Sequence, residues 1–76
     1  MQTAKIVRIF DNGSNIQVLC ADERGLLSVY FEDKFFGSFS KGIKRAGLKL
    51  NGLLINIDRG AVGVPALGKR WTCIAR

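Results

Sequence analysis

The chain has 76 residues, 47% hydrophobic and 24% charged, with one tryptophan, one proline, two cysteines and no histidine. That length allows a single domain burying about 60–65% of the surface its unfolded form exposes, and the composition excludes a disordered tail. Twelve Lys and Arg against six Asp and Glu give a net charge of +6 at pH 7, which favours polyanionic partners or, more plainly, solubility.

The charge is uneven along the chain. Residues 1–33 carry three basic and five acidic side chains, a net of −2, whereas residues 34–76 carry nine basic side chains opposed only by Asp58, a net of +8. Such a field attracts nucleic acid or an anionic membrane surface. The opening MQTAKIVRIFDNG lacks the apolar run of an export signal, and no stretch approaches a membrane span, so a cytosolic location is expected. Cys20 and Cys73 are far apart and form no CxxC pair. They read as small buried apolar residues, with neither a disulfide framework nor a metal site implied.

In chain order, TAKIVRIF (3–10) is rich in branched residues and predicts a strand, followed by Asn12-Gly13 as a tight hairpin turn. NIQVLCA alternates, with Ile16, Val18 and Cys20 on one side and Asn15 and Gln17 on the other, which predicts a half-buried strand. DERG turns the chain into LLSVYFE, a third strand with Leu27, Val29 and Phe31 inward and Tyr30 on the outward parity.

FFGSFSKGIKRAG (35–47) then changes period. Phe35, Phe36, Phe39 and Ile43 share one helical face, while Lys34, Ser38, Lys41 and Arg45 fall on the other. Asp33 is the expected N-cap and Gly47 the residue just past the C-terminus. Gly37 and Gly42 each weaken the helix by roughly 1 kcal/mol relative to Ala, so its phenylalanines must pack on something. A plug for the end of a small barrel is expected, rather than an interfacial membrane helix.

LKLNGLLINID (48–58) predicts a fourth strand with a bulge or bend at Gly52. RGAVGVPALGK reads as a long Gly- and Pro-broken connection, and RWTCIAR as a fifth strand with Trp71, Cys73 and Ala75 inward and Arg70, Thr72 and Arg76 outward. Strand, strand, strand, helix, strand, strand suits a mainly β, five-stranded small barrel, because closure removes exposed edges. The NIQVLCADERGLLSVYF hairpin, the FFGSFSKGIKRAG insertion and the GKRWTCIAR ending together resemble the OB-fold, in plan that of small single-stranded nucleic-acid-binding members. An SH3-like barrel, also of five short strands, is the alternative.

The resemblance implies a binding face on strands two and three, carrying Gln17 and Tyr30, with the first and last long loops as lips. Arg8, Lys41, Lys44, Arg45, Lys49, Arg59, Lys69 and Arg70 are the candidate phosphate contacts, and Tyr30 and Trp71 the candidate stacking residues. Trp71 is also read as a core residue. Catalysis is not expected, since without histidine the usual Ser/His and Cys/His pairs cannot form. Gly63, Gly68 and Lys69 have phosphate-loop spacing, but Arg70 stands where that motif requires Ser or Thr. The rival expectation is a partner, or a second copy, docking on the apolar 61–67 segment through Val62, Val64, Pro65 and Leu67.

Overall fold

The computed structural model describes residues 2–74. Its elements are β1 (Gln2–Asp11), β2 (Ile16–Asp22), β3 (Gly25–Phe31), α1 (Asp33–Arg45), β4 (Leu54–Asp58), β5 (Ala61–Val64) and β6 (Lys69–Thr72). The strands form one antiparallel sheet in the order β3-β2-β1-β4-β5-β6. The mainly β class with one helix holds, but six strands stand where five were expected, and the sheet is open rather than a closed barrel.

β1 is long enough to serve two neighbours. Its first residues pair with β4, from Gln2 with Ile57 to Lys5 with Leu54, and its remainder pairs with β2, from Lys5 with Ala21 to Asp11 with Ile16. The register shifts between Ile6 and Arg8, so the bulge lies in β1 and not at Gly52. Gly52 marks the entry to β4 instead: its φ is +88° and its N–H donates to the Ile6 carbonyl. Residues 48–53 turn, so the fourth strand is shorter than its alternating pattern suggested.

The expected long connection after β4 is a hairpin. Asp58 faces Ala61 across a turn at Arg59 and Gly60, and Val62 and Val64 point into the core. Residues 65–68 then turn the chain into β6, with Gly68 at a φ of +64°. The glycines that read as loop signals are hairpin hinges. The first hairpin also differs in detail: residues 12–15 form a four-residue loop in which only Gly13 has positive φ. Of the last inward and outward rows, Trp71 and Cys73 face the core side, whereas Ala75 and Arg76 lie outside the described residues.

Ala4, Ile6, Val18, Cys20, Val29, Phe31, Ile55, Val62 and Val64 build the sheet's inner face, on which α1 lays Phe39 and Ile43. Glu32, not Asp33, is the N-cap, and Asp33 sits in the first turn, where a carboxylate favours the helix dipole. The far end is as the sequence predicts: Gly47 at φ +76° donates to the Lys44 carbonyl and Leu48 to that of Ile43. That paired arrangement satisfies carbonyls a helix end otherwise leaves free. Among the described residues, no helix is long and apolar enough to cross a membrane.

Phe39 stacks on Phe31 of β3 with ring centres 5.1 Å apart, and meets Trp71 of β6 edge-on at 5.3 Å. β3 and β6 are the two edges of the sheet, so the helix spans the gap that an open sheet leaves. One hydrogen bond, from the Ile74 N–H to the Tyr30 carbonyl at 2.7 Å, links the same two edges at a single bridge. Covering the edges in this way protects strands that would otherwise template aggregation.

Candidate nucleic-acid interface

Lys34, Lys41 and Arg45 are spaced by seven and then four residues, so they lie within about 20° of one line on the helix surface, spanning roughly 16 Å. β6 runs beside this line and adds Lys69 and Arg70. The five cations line one open groove between α1 and β6, with Gly37, Ser38, Gly42 and part of Trp71 among its other lining residues. Among the described residues, no carboxylate lines it. Asp58 stands beside it, its carboxylate 3.7 Å from the Arg70 guanidinium with both side chains largely exposed; such a pair is worth about 0–1 kcal/mol.

Gly42 explains how Trp71 fits. A Cβ at this position would come within 2.8 Å of the indole ring, so the absent side chain is what lets the ring lie against the helix. Trp71 is half-buried, anchored by Phe39 on the core side and opening to the groove on the other. Trp71 is thus neither wholly core nor wholly exposed: one part of the ring packs inward and the other borders the groove.

Of the residues expected to contact phosphate, Lys41, Arg45, Lys69 and Arg70 come together here, with Trp71. The others lie elsewhere. Lys44 and Lys49 are exposed but do not line the groove. Arg59, in the turn between β4 and β5, borders a separate depression with Asp22, Glu23 and Asp58. Arg8 sits over the Phe10 ring at 5.5 Å. Gln17 and Tyr30 are cross-strand partners on the outer face of the sheet, where Gln17 also pairs with Phe10 and its amide donates to the Ser28 hydroxyl at 3.0 Å. That face is distinct from the groove, because Phe31, Tyr30's neighbour, is the one that points inward.

Lys34 and Gly37 were not among the expected site residues. The signal for Lys34 was present in its spacing from Lys41 and Arg45; for Gly37 it required knowing which helix face β6 flanks. In the 61–67 segment, Val62 and Val64 are buried, leaving Pro65 and Ala66 exposed and Leu67 half-buried.

The titratable groups add little chemistry. Hydrogen bonds from the Gln2 amide and the Arg24 N–H hold the Asp22 carboxyl below its ordinary value of 3.8, keeping the β2–β3 turn ionised. Burial pushes the Cys73 thiol above its ordinary 9.0, which keeps it protonated and poorly nucleophilic. Among the described residues, no group of His, Cys, Asp and Glu is placed to hold a metal ion. Comparison of the chain with protein-family models, curated proteins and solved structures finds no match.

Proposed function

We propose that the protein is a non-enzymatic binder of single-stranded nucleic acid, DNA or RNA, which lies along the groove between α1 and β6. The observation that carries this reading is the convergence of Lys34, Lys41, Arg45, Lys69 and Arg70 on both walls of one groove, with no carboxylate among the described residues that line it and an indole at its side. Cations placed along a line suit successive phosphates of a chain. Trp71 offers its exposed part to a base or sugar.

A single strand, whose bases are unpaired, can set its phosphates along the cations and still turn a base towards Trp71, which a duplex with its bases stacked inside cannot do. The cations are exposed, and the loose contacts of Arg70 with Asp58 and of Lys34 with the Phe35 ring hold none of them in the bidentate geometry that reads base edges. Binding is therefore weakly sequence-specific. Tyr30 and Gln17 lie on another face and are not required by this reading. With Val62 and Val64 buried, the 61–67 segment offers a partner protein Pro65, Ala66 and parts of Ala61, Gly63 and Leu67, a small surface.

The test is titration of a labelled oligonucleotide, with the sole tryptophan, Trp71, as an intrinsic reporter. With up to five phosphate contacts, affinity is expected to fall roughly a hundredfold between 50 and 200 mM salt. Replacing Lys41, Arg45 and Lys69 together by alanine should weaken binding to all sequences alike and flatten the salt slope. Lys44→Ala, outside the groove, should have the smaller effect. Absence of binding at low salt, or binding indifferent to the triple replacement, would sink the proposal.

A further inference from the structure

We propose that Gly37 is a ligand-contact position, where the uncovered backbone of α1 lets the sugar-phosphate chain of a single strand lie directly against the helix. The inference rests on the function proposed above and adds the residue that shapes the groove.

Neither the fold nor its packing requires glycine here. Gly37 lies inside α1 and is not among the glycines with positive φ. A Cβ built on it would meet nothing within 4 Å, in contrast to Gly42, where Trp71 occupies the space. Apart from proline, glycine is the poorest helix former, so the missing side chain weakens α1 with no gain in packing to offset it. What Gly37 does border is the groove. It stands three residues after Lys34 and four before Lys41, hence on the helix face between these two cations.

A glycine with room around it, set between two lysines in a cationic groove, fits the close approach of another molecule to the backbone. A lone phosphate needs only one or two of the five cations. Their extent along three turns of helix calls for a chain of phosphates, and the gap at Gly37 lies midway between two contacts in that chain. A side chain there would hold the strand away from both lysines at once.

The experiment compares wild type with Gly37→Ala and Gly37→Leu, measuring melting temperature and affinity for a labelled oligothymidylate at fixed salt. Gly37→Ala should raise the melting temperature by about 4 °C and yet weaken binding. Gly37→Leu should weaken it further, by about tenfold or more, as an overpacked contact does. Gly37→Ala should keep most of the salt slope, whereas Gly37→Leu, which holds the strand off Lys34 and Lys41, should lower it. A rise in melting temperature with unchanged affinity across the series overturns the inference. If wild type binds and the triple cation replacement abolishes binding while the Gly37 series is flat, the function stands and Gly37 has no part in it. If wild type does not bind, both fall.

Discussion

Gly42 and Gly37 are five residues apart in one helix, and alanine at the two positions should act with opposite sign. In an exposed helix interior, alanine in place of glycine gains about 1 kcal/mol. At Gly42 the new methyl would meet the Trp71 ring at 2.8 Å, so the ring must shift or the helix must lift. Gly42→Ala is expected to lower stability by about 1–3 kcal/mol, the scale of overpacking, and to change the Trp71 emission by exposing the indole. A stable variant with unaltered emission would show that the indole does not rest on this glycine.

At the scale of elements, α1 is the piece whose existence depends most on the rest. A 13-residue helix with two internal glycines is marginal in water by itself. Its N-cap residue makes no side-chain capping bond, so its stability comes from the face it buries and from the Gly47 stop. Phe39 is the centre of that face, fully buried and touching Phe31, Phe36 and Trp71. Phe39→Ala should therefore cost about 3–5 kcal/mol in urea unfolding. Because the same ring bridges both sheet edges, the loss should also loosen β6, seen as faster amide exchange at Trp71 and Cys73, the amides on the side of the strand that bonds β5. A change of less than about 1 kcal/mol would mean that the helix is held by something other than this ring.

For the whole molecule, the separation of charge along the sequence becomes a separation in space, though an incomplete one. The acidic Asp22 and Glu23 share a depression with Asp58, Arg24 and Arg59, while among the described residues the groove between α1 and β6 holds five cations and no carboxylate. Like charges crowded on two facing walls repel one another, and salt screens that repulsion over about 10 Å at 0.1 M. The melting temperature is expected to rise by a few degrees between 10 and 200 mM salt, over a range in which affinity for an oligonucleotide falls. A melting temperature that drops across the same range would indicate that attractive pairs outweigh the crowding.

The strands up to Phe31, the inward rows of β2 and β3, the amphipathic helix and its Gly47 stop were legible in the sequence, because each depends on neighbours in the chain: a period of two, a change of period, a glycine at a left-handed position. The spacing of Lys34, Lys41 and Arg45 on one helix face was equally local. The last strand was legible too, with Trp71 and Cys73 on its core side, but residues 59–68 were not, since Gly60, Gly63 and Gly68 look alike whether they break a connection or hinge a hairpin, and only pairing with β4 distinguishes the two. The groove belongs to the same class: it exists because Phe39 and Trp71 draw α1 against β6, bringing Lys69 and Arg70 across from cations far from them in sequence. Local periodicity fixes which residues share a face of one element, whereas the opposition of two faces is set by long-range packing.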